Sequence, residues 1–300
     1  MAKKHRIIYF WVIFSITIII IPLLLLYSSG YRYDFSLRKI VKTGSIFIST
    51  YPEESNIYLN NQPAATNTPI LINNLFPNEY LVSIKKDGYF TWEKNLLVNF
   101  NKTTFANEIY LFKNNVLPEK IDQKLFPGNS ITTIISPDIA AIISQLNLPS
   151  ELHIDESTNG YLTILDQKNK TLYLIQSDNL SINTKKFSQS VNDFVWNQKN
   201  KNKLLFNNDL EIWVYDLEKD SSELITRQSE PIKDAIWFSD TYILLAEKAT
   251  IKIIGLDSRE PREYYELAKV NQATEIRLDA KEKNLFFRAE NNYWKLNLQD

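Results

Sequence analysis

The sequence contains no cysteine, two histidines, six glycines and one methionine. Without cysteine there is neither a disulfide framework nor thiol chemistry. His5 and His153 are the only imidazoles, too few for a structural or catalytic zinc site when no thiolate is present. So few glycines leave no phosphate-cradling loop, and no stretch has the alternating acidic positions that a calcium loop needs. A basic excess is missing as well. Residues 31–300 hold 31 basic and 35 acidic side chains, a net charge of −4, the wrong sign for a nucleic-acid partner. These absences predict no cofactor, no metal and no nucleic acid.

What the chain does have is one long apolar run. Residues 7–27 are broken only by Ser15, Thr17 and Pro22, and no charge falls between Ile7 and Tyr31. At ~1.5 Å per residue, a helix of that length spans the ~30 Å core of a bilayer. Ile7, Trp11, Ile19, Pro22, Leu25 and Tyr27 are the expected anchor residues, with the lipid bilayer as partner, and Pro22 is tolerable inside a membrane helix. The basic start Lys3-Lys4-His5-Arg6 would suit a signal peptide. The run is too long for one and ends without a small-x-small cleavage site, so residues 1–30 read as a retained single-pass anchor. Charge does not orient it: Lys3, Lys4 and Arg6 face Arg32, Arg38, Lys39 and Lys42 across the run. The six-residue tail before the run is too short to work alone, so the later residues read as the functional part. Residues 31–43 mix aromatic and basic side chains and read as an interfacial stalk.

From Gly44 to Phe112 the pattern changes to short alternating strands separated by turn residues: Pro52, Asn60-Asn61, Pro69, Pro77-Asn78 and Asp87-Gly88. That spacing predicts a small β-sandwich or barrel. Gly44-Ser45, Tyr51-Pro52-Glu53-Glu54-Ser55, Thr68-Pro69, Leu75-Phe76-Pro77-Asn78 and Asp87-Gly88-Tyr89 with Trp92 resemble a PEGA domain. The named Pro-Glu-Gly-Ala turn is kept as Pro52-Glu53, with Glu54-Ser55 replacing the last pair. Asn61 and Asn78 stand where that family usually carries glycine, and asparagine is the commonest substitute in left-handed turns. The resemblance implies an extracytoplasmic β-sandwich module in a bacterial cell envelope and brings no catalytic residues. It also places the C-terminal domains outside, with the amino terminus inside. Tyr51, Tyr89 and Trp92 are candidate sugar-stacking rings, although strands turn half of their aromatics into a core anyway.

Residues 113–130, with Pro118 and Pro127-Gly128, read as a linker. Beyond it the chain repeats. Trp196, Trp237 and Leu278 are 41 apart, as are Asp193, Asp234 and Glu275, and Ile212, Ile253 and Trp294. Units of about 41 residues with three or four short strands predict a β-propeller-like domain over 131–300, of four or five blades, or else an open repeat array. The last unit is short, and an early strand, 131–135 or 139–143, is expected to complete it. The resemblance to WD repeats is architectural, since their Gly-His and Trp-Asp pairs are missing.

The expected fold is therefore all-β with one N-terminal transmembrane helix: a small sandwich, then the repeat domain. His153 lacks any nucleophile motif around it, so no catalytic residue is assigned. Asp193, Asp234 and Glu275 recur at one blade position and are candidate binding residues. Two carboxylates within ~5–10 Å in an open pocket would instead suit glycoside chemistry. The expected function is a non-enzymatic, membrane-anchored envelope protein that binds protein or glycan, or acts as a scaffold. An envelope-tethered glycoside hydrolase or lyase and an accessory subunit of a membrane complex are the alternatives.

Overall fold

The structure is a computed structural model and describes residues 2–35, 37–128, 137–148, 151–156, 160–178, 181–279 and 283–299. It divides into two compact units. The first comprises Met1–Leu111 with Arg259–Pro261, and the second Phe112–Ser258 with Arg262–Asp300.

The first unit opens with helix α1 (Ala2–Ser28), which contains Pro22. Its segment Tyr9–Ser28 is 20 residues long, apolar and unburied throughout, the length and composition of a membrane span or a signal sequence. A hairpin follows, β1 (Tyr31–Asp34) with β2 (Lys39–Lys42). The sandwich is built from β3 (Gly44–Tyr51), β4 (Asn56–Leu59), β5 (Gln62–Ala65), β6 (Ile70–Leu75), β7 (Asn78–Lys85), β8 (Trp92–Val98) and β9 (Thr103–Tyr110). One sheet has the order β6-β3-β9 and the other β5-β4-β7-β8. Strict alternation on β3 and β8 turns Ile46, Ile48, Trp92, Leu96 and Val98 inward, where they meet Ile57, Val82 and Ile84. Lys94 takes the same inward side, and its Nζ donates to the Arg259 carbonyl, 2.6 Å away within this unit.

Turn chemistry sets the edges. Asn60 and Asn61 both adopt positive φ (49° and 65°) and close the two-residue β4–β5 hairpin. Asn78, expected in the same role, instead begins β7 opposite Val98. Asn74 supplies the left-handed residue of that region, with φ of 63°. The Pro52 turn is tied by side chains: Thr50 Oγ1 donates to Pro52 O (2.7 Å), and Thr68 Oγ1 to Glu53 O (2.8 Å). Gly44 is required by space, because a Cβ there would stand 2.3 Å from Asn99 O and 2.7 Å from Val98 Cγ1.

The second unit is a ladder of four antiparallel four-stranded sheets. Before them comes β10 (Glu119–Ile121), and helix α2 (Pro137–Gln145) lies between β10 and the first sheet. That sheet is β11 (Leu152–Glu156), β12 (Tyr161–Asp166), β13 (Thr171–Asp178) and β14 (Ser181–Lys186). The second is β15 (Asp193–Trp196), β16 (Lys203–Asn207), β17 (Glu211–Asp216) and β18 (Ser221–Arg227). The third is β19 (Ile232–Trp237), β20 (Tyr242–Glu247), β21 (Thr250–Gly255) and β22 (Tyr264–Lys269). The fourth joins β23 (Ala273–Leu278), β24 (Asn284–Ala289) and β25 (Asn292–Asn297) to β10 at its edge. Pairing among the first three strands of the first two sheets follows the repeat of 41 residue for residue: Leu152 faces Asp166, and Asp193 faces Asn207. Each sheet is one propeller-like blade. Faces meet through apolar side chains: Leu165, Leu172 and Leu174 pack with Phe194, Trp196 and Phe206, and Leu205, Ile212 and Val214 with Ile232, Ile243 and Leu245.

Two details depart from the sequence reading. The strand that completes the last blade is Glu119–Ile121, from within the stretch read as linker, paired with Tyr293, Trp294 and Lys295. Residues 139–143, offered as that strand, form most of α2, and Ile139 and Ile142 cover the first sheet at Ile154, Leu162 and Ile164. Ile139, Ile142, Ile143 and Leu146 are spaced for one helical face, a period masked by their β-branched identity. The other stretch offered, 131–135, lies outside the described residues.

Candidate functional site on the first strands of the repeat domain

The first strands of the third and fourth blades, β19 and β23, pack against the blade before them. β15 and β23 both lie against β19, and tryptophans bridge neighbouring sheets. Trp196 Nε1 donates to Thr163 Oγ1 in the first sheet (2.9 Å), and Trp237 Nε1 to Val195 O in the second (3.0 Å). The repeating tryptophan is therefore a cross-link from the second and third blades to the blade before each.

The repeating acid sits on the same strands. Asp193 Oδ1 lies 3.3 Å from His153 Nδ1 of the first blade and accepts from the Phe194 amide (2.9 Å). Asp234 Oδ2 accepts from the Ile276 amide of the fourth blade (2.8 Å) and stands 3.4 Å from Arg277 Nη1. Arg277 Nη2 in turn holds Glu275 Oε1 at 2.9 Å. Five charged or titratable groups from four strands thus form two connected clusters. Asp193 is the most open of them, 57% exposed at its side chain, and Asp234 is 12% exposed.

Their protonation follows from these surroundings. Burial pushes the Asp234 carboxyl up to about 6, against the pull of the Ile276 amide and Arg277 and with a further push from the Asp193 charge. His153 is raised, first by its bond to Asp193 and also by the charges of Asp193 and Asp155, against the opposing effect of burial. The Asp234 and Glu275 carboxylates do converge, but the Arg277 guanidinium holds both and occupies the space between them. Among the described residues no group of three or more His, Asp or Glu could hold a metal ion.

His153 and Arg277 belong to this arrangement; the sequence reading weighed His153 only as a catalytic group and passed over Arg277. Both carry a legible signal, because each is polar where the repeat is apolar. His153 stands at the position of Phe194, Ala235 and Ile276, and Arg277 at that of Ile154, Val195 and Ile236. The His153 ring packs 4.7 Å from the Phe194 ring, its own repeat equivalent.

The aromatic candidates of the sandwich are not brought together. Tyr89 and Trp92 are core residues, 6% and 1% exposed, with no ring face left for a sugar, and Trp92 Nε1 finds no hydrogen-bond partner among the described residues. Tyr51 is half-exposed and stacks on Tyr110, with ring centres 5.1 Å apart.

Comparison with known proteins yields a family match for the sandwich and partial likeness to solved structures. No curated protein matches the chain. Among solved structures, the C-terminal WD40 domain of Sif2 is 14% identical over 50% of this chain and 45% of its own, with a TM-score of 0.38. A streptogramin B lyase structure is 14% identical over 49% of this chain and 50% of its own, with a TM-score of 0.39. The chain spans about half the length of these structures. The PEGA domain model matches residues 43–110, the segment whose strands build the sandwich.

Proposed function

We propose that this chain is a non-enzymatic, membrane-anchored cell-envelope protein whose repeat domain binds protein or glycan at the charged end of its first strands. The observation that carries the reading is the placement of His153, Asp193, Glu275 and Arg277 on strands rather than loops, each held by a fixed partner. Groups so positioned can recognise a polar ligand without first paying an ordering cost. The apolar α1 supports the anchor, and the PEGA match supports an extracytoplasmic setting. Digestion of the repeat domain by protease added to intact spheroplasts is the expected result, with a cytoplasmic protein left uncut. Protection of the domain until lysis would end the envelope reading.

A glycoside hydrolase is the second reading, and one observation favours it. Burial raises the Asp234 carboxyl to about 6, as the acid of a carboxylate pair requires. Turnover of an aryl-glycoside panel by the full chain, lost in Asp234→Asn, would select it. No turnover across the panel leaves the binding reading in place.

A further inference from the structure

The first unit has a cleft that neither the family match nor the binding site proposed on the repeat domain accounts for. It holds about 470 Å3 and lies between the end of α1, the base of the β1–β2 hairpin and the β3, β6 and β9 edge of the sandwich. Lys42, Lys102, Asn73, Asn74 and Asn101 line it with Ser28 and Ser29, and none of its lining residues is acidic. Its frame is rigid. Thr43 N donates to Gly30 O (2.9 Å), Asn101 N to Thr43 O (3.0 Å) and Ser45 N to Lys102 O (3.0 Å). Arg32 Nη2 holds the Asn74 side-chain carbonyl at 2.8 Å, which leaves the amide NH2 as the group Asn74 has to offer a ligand.

Ammonium and amide donors without a carboxylate suit an oxyanion. The depth suggests which one. The cleft begins at Ser28, the last residue of a 20-residue apolar span, and ~30 Å of helix ends at the headgroup level of a bilayer. The hairpin beside it exposes Phe35, Leu37 and Ile40 at its far end, side chains suited to the boundary between headgroups and acyl chains. Resting on the reading of α1 as a membrane helix, we infer that this cleft seats the phosphate of an anionic phospholipid headgroup, with Lys42 and Lys102 as its cations.

The test is native mass spectrometry of the full chain in detergent micelles with phosphatidylglycerol or phosphatidylcholine added. The expected result is one retained phosphatidylglycerol, with its occupancy falling about tenfold in the Lys42→Gln/Lys102→Gln variant. Phosphatidylcholine binding should stay low and unchanged, and Lys42→Arg/Lys102→Arg should keep the lipid. Equal phosphatidylglycerol binding by wild type and the Gln variant would overturn the inference. So would its displacement by millimolar inorganic phosphate, which would make the cleft a site for free anions. Carbonate extraction of membranes reads the anchor separately: a chain washed off by carbonate refutes the membrane helix whatever the cleft binds.

Discussion

The sandwich and the repeat domain solve the same problem, burying strand faces, in different ways. In the sandwich one cluster does so, with Trp92, Leu96 and Val98 from one sheet against Ile46 and Ile48 from the other. In the repeat domain burial is divided among successive interfaces, and each carries its own polar cross-link, Trp196 to Thr163, Trp237 to Val195 and Asp234 to Ile276. A single core concentrates the consequences of a mutation, whereas a repeat array localises them. Both units admit an inward charge where a partner reaches it, as the Arg259 carbonyl reaches Lys94 in the first. The middle of the repeat domain admits Asp234 because a backbone amide and Arg277 reach it there.

Truncating Trp92 to Ala tests the concentrated core most severely. A fully buried tryptophan lost to a cavity costs about 3–5 kcal/mol, and hydrogen exchange should rise across residues 43–110. A variant whose exchange rises only around β8 would break the contrast.

The pH dependence of stability tests the charged middle of the other unit. The folded chain keeps the Asp234 proton to higher pH than the unfolded chain, whose carboxyl titrates at 3.8. The folded state is therefore favoured at low pH, and this advantage disappears as pH rises from about 4 through about 6. His153, raised above 6.5, acts in the same direction: its contribution is complete below 6.5 and is lost as pH rises through its folded value. Asp209 and Glu211, lowered by Asn192 and by Arg227 respectively, impose the opposite limb, since their contributions vanish as pH falls below about 4. Thermal melts should thus show greatest stability under mildly acidic conditions. Asp234→Asn should flatten the decline between about pH 4 and 6 and stabilise the chain near neutrality by on the order of 2–3 kcal/mol. A variant that keeps the wild-type slope would locate the dependence elsewhere.

Gly44→Ala sharpens the comparison by overpacking rather than emptying the sandwich. The added methyl meets the Asn99 and Lys102 carbonyls, which are backbone and cannot swing aside, for a loss of about 1–3 kcal/mol in a denaturant titration. The mildest change is Trp237→Phe, which keeps most of the packing and removes the bond to Val195 O. About 1 kcal/mol is expected, with faster exchange confined to β15 and β19. An effect spread over all four sheets would contradict the localised picture.

Much of this architecture could be read from residue order. Trp196 and Trp237 reveal the period because the second and third blades place the same large side chain at the same seam. The Asn60-Asn61 turn was legible for a local reason, the left-handed backbone it needs. The closing strand was not, because a three-residue strand carries no period and Glu119–Ile121 has two charged residues out of three. Helix α2 was obscured by isoleucines that also suit strands. On the first strands of the repeat domain the recurring acids were visible, whereas the pairing of His153 with Asp193 and the place of Arg277 stand out only once the apolar positions of the repeat are aligned. Trp92 shows the converse limit: which face of a strand an aromatic takes is settled by the opposing sheet.

The pairing of β10 with β25 has a consequence for synthesis. Glu119 and its partner Lys295 are 176 residues apart, so the strand that finishes the last blade emerges from the ribosome long before its neighbour exists. At ~5–20 residues per second, the interval is roughly 10–35 s. Through that time the nascent chain carries an orphan strand upstream of blades that are already pairing among themselves. Closing so long a loop is slow, and the last blade stays three strands wide, its edge open to other chains, until the closure is made.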